Sequence, residues 1–235
     1  MVHKILRKSA ALSALTLCIV GTSPVARAGI EVSVGGVPTG VNYANFDTVP
    51  LGAAGGTSGG ITVSFGGDGQ AVQGSLSGVN AAPFLSNGSG TLFGDPTDGP
   101  DTTTYLTTGT GSVTLSLPGE EKYVGLLWGS VDTYNTLSLY DGSTLVGTIT
   151  GSDVTSNASG DQGASGTFYV NINSSTSFDK IVATSTSNAF EFDNVAFNPT
   201  TVPEPSSIVL GLLGGFGVFS YRLVRRKGLA GGQSR

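Results

Sequence analysis

The side chains best suited to chemistry in this chain are carboxylates. Asp95, Asp98 and Asp101 stand three residues apart in Gly94-Asp95-Pro96-Thr97-Asp98-Gly99-Pro100-Asp101. Glu191, Asp193 and Asn194 crowd a second run, Phe190-Glu191-Phe192-Asp193-Asn194-Val195-Ala196-Phe197. Hard oxygen donors on turns and bulges suit Ca²⁺. The spacing departs from the alternating acidic positions of an EF-hand loop, and one strand cannot supply the roughly six to eight oxygens that Ca²⁺ takes. The competing readings are a solvated acidic loop at 94–101 and a bulge in which Asp193 bonds its own backbone. Two carboxylates about 5–10 Å apart would also serve glycoside hydrolysis, although nothing in the spacing selects a pair. Tyr134 and Tyr140 can stack on a sugar ring; the alternative puts both at sheet edges, with Trp128 in the core.

Absent residues narrow the chemistry further. The one histidine is His3 and the one cysteine Cys18, and every arginine lies at or before position 27 or at or after 222. Residues 29–202 therefore lack the groups for Ser-His-Asp or Cys-His nucleophile activation, thiolate- or imidazole-bound zinc, and disulfides. No cofactor is expected, with Ca²⁺ the one ion the carboxylates admit, and the chain is expected not to be an enzyme. The same stretch holds 15 acidic and 2 basic side chains, a formal charge of −13 that the whole-chain value of −5 conceals. Such a surface repels nucleic acid and attracts cations.

Short strands must position these residues. Ile61-Thr62-Val63-Ser64-Phe65, Val113-Thr114-Leu115-Ser116-Leu117, Leu137-Ser138-Leu139-Tyr140 and Phe168-Tyr169-Val170-Asn171-Ile172 alternate apolar and polar positions, so one face packs and the other is wet. Val124-Gly125-Leu126-Leu127-Trp128 is apolar on both faces and reads as a central strand. Asp141-Gly142 predicts a type I′ hairpin, and the Pro118-Gly119 turn predicts a solvated loop at Glu120-Glu121. In 190–197, Phe190 and Phe192 share one parity and Val195 and Phe197 the other, which predicts a β-bulge at Asp193-Asn194. About ten strands with frequent turns give an all-β fold, a single antiparallel β-sandwich of jelly-roll type over residues 29–198. Longer loops are expected at 53–60 and 87–111.

Both ends of the chain read as export machinery. His3, Lys4, Arg7 and Lys8 precede an apolar stretch at 10–20, and Ala26-Arg27-Ala28 fits the small-x-small rule, so residues 1–28 are a signal peptide cleaved by signal peptidase after Ala28. Residues 199–205 are a linker holding Val202-Pro203-Glu204-Pro205. The uncharged run 206–221 reaches about 24 Å as a helix, so a membrane span extended to 224 relies on Arg222 snorkelling. Arg225, Arg226 and Lys227 open the basic tail 225–235, which the positive-inside bias assigns to the cytoplasm.

That order of Pro-Glu-Pro motif, single apolar span and basic cluster resembles the PEP-CTERM sorting signal read by exosortases in Gram-negative bacteria. The resemblance implies that Val202, Pro203, Glu204 and Pro205 are the recognition and processing site, with Glu204 a substrate residue and not a catalyst. It implies an inner-membrane-anchored precursor, then delivery to the cell surface or extracellular matrix. The segment 124–137 resembles one in a family of exosortase-dependent surface proteins, and the Asp193-Asn194-Val195 pattern resembles several Ca²⁺-holding jelly-roll carbohydrate-binding modules. The function expected is that of a structural or adhesive protein of the exopolysaccharide or biofilm matrix. The alternative is a secreted carbohydrate-binding module, with polysaccharide as partner and Ca²⁺ as its ion; a carboxylate-only glycoside hydrolase comes third.

Overall fold

The computed structural model describes residues 25–27, 29–95 and 98–203. The expected signal peptide, but for 25–27, and the whole expected membrane span and basic tail lie outside the described residues. The strands are β1 (Val25–Arg27), β2 (Ile30–Val34), β3 (Asn42–Ala44), β4 (Gly56–Ser58), β5 (Ile61–Gly66), β6 (Gln70–Val72) and β7 (Phe84–Leu85). They continue as β8 (Gly99–Pro100), β9 (Tyr105–Thr108), β10 (Ser112–Gly129), β11 (Asn135–Asp141), β12 (Thr144–Thr150), β13 (Phe168–Ser185) and β14 (Phe190–Asn198). One helical turn, α1 (Gly151–Val154), precedes β13. The all-β, antiparallel character read from the alternating pattern holds.

Two long strands organise the whole. The first half of β10, Ser112–Ser116, runs between β5 and the second half of β13. Its second half, Tyr123–Gly129, runs between the first half of β13 and β14. One arm of the sheet therefore has the order β1-β2-β13-β10-β14-β9-β6, and the other runs β12-β11-β13-β10-β5-β4. Between them β10 changes register twice, from Ser116 opposite Lys180 to Glu121 opposite Phe178 and then Tyr123 opposite Asn173. The expected turn at Pro118-Gly119 is thus an irregular passage within one strand, where a bulge tolerates both a proline and a glycine. Glu121, expected in solvent, is buried there.

The core follows the alternation. Ile61, Val63, Val113, Leu115, Leu137 and Leu139 from one arm and Val124, Leu126, Trp128, Phe190 and Phe192 from the other belong to a single buried cluster. Trp128 is fully buried and stacks on Phe190 with ring centroids 4.4 Å apart. Tyr123 and Leu127, on the opposite face of β10, join Leu85, Phe93, Tyr169 and Ala196 in a second cluster. Burial of both faces is what the doubly apolar 124–128 segment predicts. The β11–β12 hairpin differs from expectation by one residue. Asp141 pairs with Thr144, so Gly142 and Ser143 form the loop, and of these Gly142 alone has positive φ, 57°. That matches the II′ requirement for glycine at the first central position and not I′.

The 87–111 stretch is more ordered than a loop reading allows. A 3₁₀ turn at Thr91–Phe93 seats Phe93 in the second cluster, and β8 and β9 follow. Likewise β4 occupies part of 53–60.

Candidate functional site

The bulge forecast at Asp193-Asn194 exists and builds the site. Leu127 pairs with Asp193 whereas Gly125 pairs with Ala196, which inserts one extra residue on β14, and Asn194 takes up a left-handed φ of 54°. Asparagine accepts that conformation more readily than most residues. Phe190, Phe192, Val195 and Phe197 all stay in the core, and two polar residues are left between them where β14 meets the segment after β7.

That segment supplies the other half. Asp95 follows the 3₁₀ turn and the left-handed Gly94, its N–H donating to Gly90 O at 3.1 Å. Asp101 follows β8 and donates its N–H to Pro83 O at 2.8 Å. Carboxylate oxygens of Asp95, Asp101 and Asp193 lie within 4.8 Å of one another. The three residues are 8 %, 1 % and 0 % exposed, and Asn194 beside them is 0 % exposed. Asn194 Nδ2 donates to Asp95 Oδ2 at 2.5 Å. Thr103 donates its N–H at 2.7 Å and its hydroxyl at 2.6 Å to Asp101 Oδ1. Asp101 Oδ2, Asn194 Oδ1 and both oxygens of Asp193 have no partner at full hydrogen-bond geometry, although the Asp193 carboxyl lies close enough to the Asp101 carboxyl and the Asn194 N–H to interact with both.

Negative charge concentrated in so dry a place is costly. Burial, and then the neighbouring Asp101, hold the Asp193 carboxyl well above the usual carboxylate range. Burial likewise raises Asp95, against the Asn194 hydrogen bond and with the help of Asp101 and Asp47. Of the six oxygen-bearing residues read from sequence, the structure brings together Asp95, Asp101, Asp193 and Asn194. Asp98 is exposed and outside the group. Glu191 is buried elsewhere: its Oε1 accepts from Ala81 N at 2.8 Å and its Oε2 from the Ser130 hydroxyl.

Glu191 forms the floor of a second feature, a polar cleft of about 510 Å³ lined by Leu76, Asn80, Asp132, Tyr134, Asn188 and Glu191 among others. The Tyr134 hydroxyl donates to Asn188 O at 3.1 Å and also interacts with the Asp132 carboxylate. Burial raises the carboxyls of both Asp132 and Glu191. Gly160 packs so closely on Asp132 that a Cβ there would meet its Oδ1 at 2.7 Å. Of the two tyrosines proposed for stacking, the structure brings Tyr134 alone to this cleft. Tyr140 lies on β11 with the Lys180 ammonium over its ring at 5.0 Å. Sequence reasoning passed over Asp132, which sits in a segment legible for its aromatics and carries no spacing signal toward Glu191.

Past β14 the chain stays docked. Val202 packs on the second cluster, donates its N–H to Asn173 Oδ1 at 2.8 Å and accepts from Asn173 Nδ2 at 2.9 Å. Beyond Pro203 the Glu204 and Pro205 of the motif lie outside the described residues. Residues 201–227 match the family model of the PEP-CTERM protein-sorting motif. The chain carries a PEP-CTERM sorting motif. It is accordingly an exosortase-sorted protein, exported through a membrane-anchored precursor to the cell surface. The match covers the tail alone, and a search of curated proteins finds no significant similarity to any part of the chain. Among the described residues no helix is long and apolar enough to cross a membrane.

Proposed function

We propose that this PEP-CTERM protein is a structural or adhesive component of the cell surface or exopolysaccharide matrix of a Gram-negative bacterium. The observation that carries the reading is the junction at Val202, where a packed β domain ends and the sorting motif begins. The domain is the cargo and the tail its address. Two arms around one core support a β-sandwich of jelly-roll type as its architecture. The expected test is localisation. Glu204→Ala should leave the protein in the membrane-anchored precursor pool and off the surface, with the domain still folded; surface delivery at the parental level would refute it.

The cleft supports an adhesive role through neutral saccharide. Its volume suits a small ligand, its lining is mostly polar and uncharged, and its two carboxylates disfavour anions. A glycosidase is the weaker reading, because protein donors already hold both Glu191 oxygens and so make that carboxylate a tie between two loops. Binding of neutral oligosaccharides should fall with Tyr134→Ala and persist with Tyr140→Ala. Steady turnover of a polysaccharide, abolished by Glu191→Gln in a folded variant, would overturn the non-enzymatic assignment.

A further inference from the structure

We infer that Asp95, Asp101, Asp193 and Asn194 form a Ca²⁺ site that ties the segment after β7 to the β14 bulge. Three carboxylates alone would not carry this. The independent observation is Asn194, a neutral side chain that is completely buried, donates its amide N–H to Asp95, and leaves Oδ1 without any donor. An unsatisfied amide oxygen in a dry interior beside three carboxyl groups is a vacant acceptor that a cation would fill.

The geometry fits the ion by size. Oxygens bound to one Ca²⁺ at about 2.3–2.6 Å can be separated by no more than about 5 Å, and the three carboxylate oxygens lie within 4.8 Å of one another. Asp193 offers both of its oxygens, and Asp101 Oδ2 and Asn194 Oδ1 likewise lack a partner at full hydrogen-bond geometry. Asp95 Oδ1 has only a 3.3 Å hydroxyl from Thr103. Asp101 Oδ1 and Asp95 Oδ2 are spent on Thr103 and Asn194, which hold the two carboxylates in place for the remaining oxygens. With water this set reaches the coordination Ca²⁺ takes. The objection that one strand cannot hold the ion is met because the loop supplies Asp95 and Asp101 while the bulge supplies Asp193 and Asn194.

Other divalent ions fit less well. Zinc and copper favour imidazole and thiolate, and residues 29–202 contain neither. Mg²⁺ demands short, near-ideal octahedral bonds, whereas carboxylates and an amide drawn from a loop and a bulge suit the more flexible geometry of Ca²⁺. The rival explanation is a proton shared between Asp193 and Asp101, with no ion.

Direct binding to the full-length chain in detergent, stripped with EGTA, separates the two. Equilibrium dialysis is expected to find one Ca²⁺ per chain with a dissociation constant below about 1 mM. Asp193→Asn and Asp101→Asn should each weaken binding by at least about 100-fold, Asn194→Ala by about 10-fold, and Asp98→Asn not at all. No bound Ca²⁺ on the parent at about 5 mM would overturn the site whatever the variants do. So would binding that the Asn194→Ala variant and a folded Asp193→Asn or Asp101→Asn variant retain unchanged.

Discussion

Asp193→Asn should stabilise the Ca²⁺-free protein, and added Ca²⁺ should shrink or cancel that advantage. In the ion-free protein Asp193 faces Asp95 and Asp101 with oxygens within 4.8 Å. At an effective dielectric of about 20, one such pair repels by about 3.5 kcal/mol. The whole penalty has a ceiling, because a carboxyl with an ordinary value near 3.9 can take up a proton at pH 7 for about 4 kcal/mol. Replacing the anion by an amide removes most of that cost and supplies an N–H donor for Asp101 Oδ2, which has none. The variant is therefore expected to be more stable than the parent in EGTA by about 2–4 kcal/mol. For a chain of this size that raises Tm by about 5–15 °C. In about 5 mM Ca²⁺ that advantage shrinks or disappears, since the parent gains about 2–3 kcal/mol when the ion stands about a hundredfold above its dissociation constant and the variant gains little. Calorimetric melts of both proteins in both buffers read this out. A variant less stable than the parent in EGTA would refute the argument and mark Asp193 as a hydrogen-bonded acid.

Three further outcomes follow from other parts of the fold. Trp128→Ala empties a fully buried site stacked on Phe190 and should cost about 3–5 kcal/mol in chemical denaturation. Gly160→Ala places a methyl 2.7 Å from Asp132 Oδ1 at a φ of +73°, and a loss of about 1–3 kcal/mol in the same assay is expected. Slight burial pushes Asp68 up, but the N–H groups of Thr110, Gly111 and Gly109 and the Thr108 hydroxyl outweigh it and hold the carboxyl below the usual range. Its stabilisation is therefore present above about pH 4 and lost as pH falls through the lowered value. After discounting for exposure, Asp68→Ala should cost about 1–2 kcal/mol at neutral pH, with the gap closing in melts taken between about pH 5 and pH 2.

The strands were legible because period-two alternation is a local property. Ile61–Phe65, Leu137–Tyr140 and the doubly apolar 124–128 segment each announce which faces are buried, and the parity change between Phe192 and Val195 announces a bulge. What joins them was not legible. Pro118-Gly119 has the composition of a turn whether the chain reverses there or bends within β10, and the difference is decided by which strand lies alongside. The metal candidate divides in the same way. Asp193 and Asn194 can be read together from one strand, whereas their meeting with Asp95 and Asp101 across more than ninety positions depends on the seat that Phe93 takes in the second cluster. Asp98, with the same spacing as its neighbours, is exposed and outside the group, which spacing alone does not reveal.

The amide clamp at Val202 has a mechanical consequence. While the precursor is held by its tail, any drag on the domain reaches the fold first through the two Asn173 hydrogen bonds and then along β14, which is paired to β10 on one side and to β3 and β9 on the other. Force applied at the end of a strand so flanked loads many ladder bonds at once in shear instead of peeling them singly. The clamp is thus the weak link, able to yield a little length under flow while the strand behind it holds.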